Sequence, residues 1–223
     1  MEQLKLDIVT EAKNACQASK QASKQASKDW IGNSKSIYTT LGASNHSETD
    51  RAESDFYATD PKAIDYLLES DATLSQNIWE VSCGRGDLSK RLEEFGFNVR
   101  STDLFDRGYG QGGVDFLKTD EVFDGTILTN PPYIFAKEFC EHALNTVTPG
   151  NYVYMFLKLQ FLEGKGRRTL FDRMELKTVY VSRSRIVCAK NGEFEKISSS
   201  AVAYCWYQFQ KGFNGYPTIK WIN

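Results

Sequence analysis

Several patterns are scarce or absent in this 223-residue chain, and each absence removes a class of protein. No apolar run approaches the ~18 residues that a membrane-spanning helix needs, and the amino terminus lacks the basic-then-apolar pattern of a secretory signal. The five cysteines are scattered without a C-x-x-C pair, which argues against a zinc site or a disulfide framework. The two histidines, His46 and His142, are read as structural or solvent-facing. The sequence therefore predicts a soluble protein of a reducing compartment.

Neither sign of charge dominates the chain, but the charges are unevenly placed. The formal net charge is −2, whereas residues 155–196 hold ten Lys/Arg and five Asp/Glu, a local net charge of +5. A basic segment in a neutral chain is a candidate surface for phosphates. For any single residue in it, a solvated surface position is the simpler interpretation. The candidate phosphate contacts are Lys165, Arg167, Arg168, Arg183, Arg185 and Lys190.

Residues 1–50 are predicted to be an extension outside the main domain, which we place at 51–223. Residues 17–28 contain three copies of Gln-Ala-Ser-Lys, a spacing that aligns Ala18, Ala22 and Ala26 on one side of a helix. Alanine buries too little area to hold such a helix against much else. We therefore expect a solvated helix or a disordered segment, with a partner-binding helix as the alternative.

The stretch 78–88 has the pattern of a strand, a glycine turn and a helix whose apolar face is formed by Leu88, Leu92 and Phe95. Gly84 and Gly86 would let the backbone approach a ligand at the amino end of that helix. A nicotinamide dinucleotide fold would have a third glycine at position 89, where this chain has a serine. The pattern therefore favours a nucleoside-binding turn over a dehydrogenase.

Asp103 ends the next predicted strand, nineteen residues after Gly84. A carboxylate at the tip of that strand can accept hydrogen bonds from both hydroxyls of a ribose. The alternative is an acid that merely ends a strand and binds nothing.

The apolar run 126–128 leads directly into Asn130-Pro131-Pro132-Tyr133. The two prolines have no N–H, so this loop offers carbonyl acceptors with few competing donors, and Tyr133 adds a flat aromatic face. Acceptors beside a stacking ring suit a planar substrate that carries an exocyclic –NH₂. The alternative interpretation is a proline-stiffened turn after a buried strand.

These motifs, in this order over residues 55–160, resemble class I S-adenosylmethionine-dependent methyltransferases, above all the N6-adenine DNA methyltransferases of prophage type. Residues 80–88 resemble their cofactor motif, 56–61 their aromatic-Thr-Pro motif with Asp60 inserted, and 114–117 their adenine-binding motif. The resemblance implies that S-adenosylmethionine is the cofactor. It implies the catalytic residues Asn130, Pro131, Pro132 and Tyr133. It implies the cofactor-binding residues Phe56, Tyr57, Thr59, Glu80, Cys83, Gly84, Gly86, Asp103, Leu104, Asp115, Phe116 and Asn130.

The implied fold is a Rossmann-like α/β domain with a seven-stranded, mostly parallel sheet, an antiparallel closing strand and helices on both faces. The helix stripe of Phe135, Phe139, Ala143 and Val147 and the strand 152–157 fit it, as does a basic helix near 163–175. Strands at 177–181 and 201–209 would form the final antiparallel pair. The aromatic run 204–209 is read as sheet core, and 184–200 and 210–223 stay unassigned.

The implied function is methylation of adenine N6 in DNA, in the cytoplasm of a bacterium or phage-infected host, with low or short sequence specificity. DNA is the expected partner, and neither a metal nor a membrane is expected. Phe161 or Phe194 could cover the second face of the flipped base. Two alternatives stay open: methylation of an RNA base or a protein glutamine amide, and an inactive methyltransferase fold that binds DNA or a phage partner.

Overall fold

The computed structural model describes residues 57–190, 192, 194 and 202–223. Phe56 and the predicted extension with its Gln-Ala-Ser-Lys repeats lie outside the described residues. The strands are β1 (Tyr57–Thr59), β2 (Asn77–Glu80), β3 (Asn98–Ser101), β4 (Thr126–Thr129), β5 (Tyr152–Lys158), β6 (Leu176–Ser182), β7 (Cys188–Lys190), β8 (Tyr204–Gln210) and β9 (Thr218–Ile222). The helices are α1 (Lys62–Leu68), α2 (Asp87–Glu94), α3 (Ala136–Thr146) and α4 (Arg168–Phe171).

Seven strands form one sheet in the order β3-β2-β4-β5-β8-β6-β9. Strands β3, β2, β4 and β5 run parallel, β8 is antiparallel to both of its neighbours, and β9 is parallel to β6. Parallel neighbours need crossover connections, which α2 and α3 supply, so the carboxyl ends of β2, β3 and β4 meet at one edge. The predicted fold class is confirmed, and the functional motifs fall on that edge.

Helices cover both faces of the sheet, which explains why the central strands read as continuous apolar runs. Successive strand residues point to opposite faces. Trp79 and Ile127 pack in the core cluster that contains Cys140 of α3, whereas Ile78 and Leu128 pack in the other cluster, against α1 and α2. All six residues from Tyr204 to Phe209 are buried, so the interpretation of this aromatic run as sheet core is confirmed.

A separate two-stranded ribbon pairs β1, at the start of the described chain, with β7, which lies far along the sequence at Cys188–Lys190. The strands are antiparallel, with Tyr57 opposite Lys190 and Thr59 opposite Cys188. The Asp60 N–H also donates to the Val187 carbonyl at 3.0 Å. Each strand has only three residues, too few for a recognisable period, and the sequence did not predict this pairing.

The tail after residue 210, which the sequence left unassigned, supplies β9, which pairs with β6 at the sheet edge. Two details of the predicted elements were wrong. The basic helix predicted at 163–175 is only the single turn α4, preceded by 3₁₀ turns.

Phe95 and Phe135 do not lie on apolar helix faces. They are 49% and 47% exposed, because α2 ends at Glu94 and α3 begins at Ala136, which leaves each phenylalanine just outside helical geometry. The Arg91 guanidinium covers the exposed Phe95 ring at 4.7 Å. Within the described part of the chain, no helix has the length and apolar content to cross a membrane.

Candidate active site

A cavity of about 430 Å³ opens at the carboxyl ends of β2, β3 and β4. In open parallel α/β sheets this edge is where ligands bind, and the volume falls within the range of small-molecule sites. Its lining includes four acidic side chains, those of Glu80, Asp87, Asp103 and Asp115, and the basic side chain of Arg107, among apolar side chains. Leu104, Phe105, Ile134 and Phe135, all exposed, also line it. The cavity is therefore an acidic site with an apolar rim, suited to a cationic ligand that carries flat rings.

The glycine turn has a mainly internal role. Gly84 and Gly86 adopt φ values of 57° and 79°, which disfavour other residues. A Cβ on Gly86 would lie 2.3 Å from the ring of Tyr109, so this glycine makes room for a protein side chain. Neither glycine lines the cavity, whereas their neighbours Cys83 and Asp87 do. The role of Tyr109 was not predicted from the sequence. Direct contact of Gly84 and Gly86 with the cofactor stays a prediction.

Asp103 links the glycine turn to the end of β3. It is 6% exposed, and its carboxylate accepts hydrogen bonds from the Gly84 N–H at 2.8 Å and the Phe105 N–H at 2.9 Å. Each carboxylate oxygen has a further lone pair. The carboxylate is therefore held in place on the cavity wall with acceptor capacity left for a diol.

Glu80 lies at the end of β2, 2% exposed, and accepts a short hydrogen bond from the Ser89 hydroxyl. Burial raises the pKa of its carboxyl group to about 8, against the opposing effect of that bond. The residue in place of a third glycine, Ser89, is thus the partner of Glu80. Burial also raises the pKa of the neighbouring Cys83 thiol to about 12, which keeps it protonated and unsuited to act as a nucleophile.

Asp115 and Phe116 lie on the far wall of the cavity, at the start of a 3₁₀ turn. The Asp115 carboxylate pairs with Lys118 at 2.7 Å. Phe116 is 2% exposed and contacts Trp79 edge-to-face, with ring centroids 5.5 Å apart. Most of the Phe116 ring is core, and contact of these two residues with an adenine ring stays a prediction.

Asn130, immediately after β4, has its side-chain amide held in one orientation. Its Nδ2 donates to the Tyr57 carbonyl at 3.0 Å and to the Thr59 hydroxyl oxygen at 2.8 Å. Its Oδ1 is buried and has no hydrogen-bond partner among the residues that the structure describes. A buried acceptor without a partner is uncommon and calls for an explanation. Here the orphaned acceptor belongs to a residue that lines the cavity.

The carbonyls of the two prolines that follow Asn130 differ in whether they can still accept a hydrogen bond. The Pro132 carbonyl accepts from the Phe135 N–H at 2.9 Å and so belongs to the following 3₁₀ turn. Among the described residues no hydrogen bond is made to the Pro131 carbonyl, so of the two proline carbonyls only this one, like the Asn130 oxygen, is left as an available acceptor.

Tyr133 lies in a cluster that the sequence did not predict. Its ring centroid is 5.9 Å from that of Tyr204 and 6.2 Å from that of Tyr57, and the Lys158 ammonium lies 5.2 Å from it. Its hydroxyl is 3.6 Å from the Cys188 sulfur, and burial raises its pKa well above the usual value. The half-buried ring is thus supported from several sides and also lines the cavity.

Some of the candidate phosphate-binding residues already make contacts within the protein, whereas others are exposed. Arg167 donates to the backbone carbonyls of Phe161 at 2.8 Å and of Glu163, and so stabilises its own turn. Arg168 pairs with Asp172 at 3.0 Å, and Arg183 donates to the Asn223 carbonyl at 2.8 Å. Lys165 and Arg185 are exposed, and Lys190 lies in β7. Exposure is compatible with a phosphate-binding role for Lys165 and Arg185, and the role of all three residues stays a prediction.

Phe161 does not lie where a base could stack. It is 8% exposed, in the core, 5.4 Å from the Tyr207 ring and beneath the Arg167 guanidinium. Its suggested role over the second face of a base is therefore wrong. The same role for Phe194 stays a prediction.

Solved structures with this architecture include two modification enzymes. A type I restriction-modification methyltransferase subunit from Streptococcus thermophilus matches with a TM-score of 0.50 and 14% identity, over 70% of this chain and 45% of that one. A proposed type I modification subunit from Vibrio vulnificus matches with a TM-score of 0.51 and 14% identity, over 85% of this chain and 51% of that one. The fold is that of class I methyltransferases.

The likeness extends to the fold alone. A proposed hemolysin from Lactococcus lactis matches equally well, with a TM-score of 0.50 and 10% identity over 70% of this chain and 88% of that one. No family model and no curated protein matches the sequence. The chain spans about half the length of the two modification subunits. What the protein does must therefore be argued from its site.

Proposed function

We propose that this protein transfers a methyl group from S-adenosylmethionine to an exocyclic amino nitrogen, with adenine N6 in DNA as the acceptor. The observation that carries the proposal is the Asn130 Oδ1, buried in the cavity wall without a donor from the described part of the chain. An –NH₂ group on a planar ring would supply that donor. The Pro131 carbonyl, the next acceptor along the loop, would receive the second N–H.

The residues around the cavity fit S-adenosylmethionine. Its ribose diol matches the Asp103 carboxylate, which retains lone pairs beside the exposed Leu104. Its positive charges match the acidic side chains of Asp87, Asp103 and Asp115 on the cavity wall, and its adenine ring matches the apolar rim. When bound, the cofactor supplies an electrophilic methyl group on its sulfonium.

The protein's own contribution is positioning and electrostatics. An aromatic amine is a poor nucleophile because its lone pair is delocalised into the ring. Acceptance of both N–H bonds by Asn130 Oδ1 and the Pro131 carbonyl favours a more tetrahedral nitrogen, whose lone pair can then point at the methyl group. No strong base is needed before transfer, because the leaving group is a neutral thioether and the methylated nitrogen then loses its extra proton to solvent.

A nucleic acid is preferred over a protein glutamine as the acceptor because of the basic charge after β5, which does not distinguish DNA from RNA. Exposed Lys165 and Arg185 lie in the +5 segment 155–196, which suits a polyanion better than a protein glutamine. A duplex base must be flipped out to reach the cavity, at a cost of about a few kcal/mol. Tyr133, with its ring on the cavity wall, is the proposed stacking partner of that base.

The decisive experiment is transfer of labelled methyl from S-adenosylmethionine to separate pools of DNA, RNA and protein, followed by nucleoside and amino-acid analysis. We expect N6-methyladenine in DNA, and no label with an Asn130→Ala variant that still binds the cofactor. Label in RNA or in glutamine would establish the alternative acceptor. No label in any pool, together with salt-dependent DNA binding, would establish the inactive fold.

A further inference from the structure

The β1–β7 ribbon contacts the catalytic loop where its chemistry would take place. Thr59, the last residue of β1, is 3% exposed, and its hydroxyl oxygen lies 2.8 Å from Asn130 Nδ2. The two residues are 71 positions apart in sequence, so only the folded ribbon brings them together. The other Nδ2 contact is the Tyr57 carbonyl, two residues earlier on the same strand.

Together these contacts determine which end of the Asn130 amide faces the cavity. The Tyr57 carbonyl can only accept, so it excludes the flipped amide, in which Oδ1 would face another oxygen at 3.0 Å. The Thr59 oxygen receives the second N–H. With both N–H groups used by the ribbon, the only hydrogen-bonding capacity left on this side chain is the Oδ1 acceptor.

We propose that Thr59 is a positioning residue for methyl transfer: it holds the Asn130 amide with its oxygen toward the acceptor amine. This inference rests on the proposed function. It changes the role expected for Thr59 from cofactor contact to control of Asn130. The ribbon would then be a part of the catalytic apparatus, because it orients the Asn130 amide so that an oxygen and not an N–H faces the substrate amine.

The first test compares a substitution that removes the acceptor oxygen with one that keeps it. Thr59→Val keeps the shape but leaves one buried N–H of Asn130 without a partner, and we expect kcat to fall about tenfold with little change in the Kd for S-adenosylmethionine. Thr59→Ser keeps the oxygen and should restore kcat. Thr126→Val is the matched control: it removes another buried hydroxyl, which accepts from the Ser75 N–H at the far end of β4, and should lower stability only.

Two further readouts separate positioning from cofactor binding. In an Asn130→Ala background, Thr59→Val should have no additional effect on transfer, because the group it positions is gone. If Thr59→Val instead weakens cofactor binding tenfold and leaves kcat unchanged, Thr59 contacts the cofactor and the positioning role is wrong.

The last readout does not depend on activity. The Asn130 side-chain amide protons, identified by NMR from their loss in Asn130→Ala, should exchange slowly with solvent in the parent and in Thr59→Ser, and faster in Thr59→Val. Fast exchange in the parent would overturn the positioning role. Slow exchange in a parent that methylates no acceptor would overturn the proposed function and leave the Thr59–Asn130 contact established.

Discussion

The Gly84 N–H donates to the Asp103 carboxylate at 2.8 Å, so the glycine turn after β2 and the acid after β3 form one unit. The Phe105 N–H donates to the other oxygen of the same carboxylate at 2.9 Å. A ligand that hydrogen-bonds to Asp103 therefore binds a carboxylate that two backbone N–H groups hold in place. Replacement of Asp103 would also loosen the glycine turn, because Gly84 would lose its acceptor.

The first prediction concerns Asp103→Ala. Loss of charged hydrogen bonds should weaken S-adenosylmethionine binding by about 1–3 kcal/mol in calorimetric titration. Part of that loss would come from the loosened turn, so Asp103→Asn is the companion variant: it keeps one acceptor oxygen and should give a smaller loss. Equal affinity in the parent and Asp103→Ala would show that Asp103 does not bind the ribose.

The second prediction concerns Asn130→Asp, which is nearly isosteric. A carboxylate has no N–H to donate, so one of its oxygens would face the Tyr57 carbonyl oxygen, now 3.0 Å from Nδ2. We expect transfer to fall by about 10²-fold or more, close to Asn130→Ala, with cofactor binding nearly unchanged. Single-turnover measurements at saturating cofactor would check it. Retention of most turnover by either variant would contradict the amino-group mechanism.

The third prediction separates the ring of Tyr133 from its hydroxyl. The hydroxyl lies 3.6 Å from the Cys188 sulfur, a weak acceptor, and no part of the proposed mechanism uses it, so Tyr133→Phe should keep kcat within about threefold. Tyr133→Ala removes the proposed stacking face, worth about 1–3 kcal/mol per base, and should lower kcat/KM for DNA about 10- to 100-fold. Steady-state assays on an oligonucleotide measure both. A large loss in Tyr133→Phe would point to a role for the hydroxyl instead.

The fourth prediction is a pH dependence of stability that arises from Glu80. Its pKa is about 8 in the folded protein against an ordinary value of 4.5, so the folded state holds the proton more tightly. The free energy of unfolding should therefore fall as the pH rises from about 4.5 to 8, and then level off. Glu80→Gln still offers an acceptor to Ser89 and should remove this slope. Urea unfolding of both proteins at pH 5, 7 and 9 tests it: equal slopes in both would mean that Glu80 is ionised when folded.

Much of the site could be predicted from the sequence because parallel strands end at one edge of a sheet. Glu80, Asp103 and Asn130 each follow or end such a strand, and all three line the cavity. Their identification needed only local patterns: a predicted strand that ends in a polar residue, followed after Glu80 and Asn130 by a glycine or proline turn.

What the sequence did not reveal depends on long-range contacts. The β1–β7 ribbon has no periodicity in its three-residue strands, and its effect on Asn130 depends on a pairing between residues 57–59 and 188–190. Tyr109 fills the space above Gly86 from a loop without regular structure. The Lys158 ammonium reaches Tyr133 because β5 passes beside the loop. Each is a tertiary contact that local propensity does not encode.

The last prediction is that sequence specificity is low or confined to a very short site. With the tail used for β9, the stretch 184–200 is what remains of the residues after Tyr133 that the sequence left unassigned, and Cys188–Lys190 within it form β7. A stretch of that length is too short for a separate recognition domain, which would need about 50 residues or more. Each good bidentate base contact discriminates by about 1–3 kcal/mol, so one loop with Arg185 and Lys190 would read a few base pairs.

Phosphate contacts would then carry most of the affinity, and DNA binding should weaken steeply as salt rises. Arg185→Ala should reduce the slope of log affinity against log salt by about one, whereas Lys220→Ala, on the edge strand and paired with Asp71, should not. Methylation mapped at single-base resolution on a mixed-sequence plasmid measures the site itself. Modification confined to a sequence of about five or more defined bases would mean that further residues read the DNA, and residues 1–50 would be the first to test, by deletion.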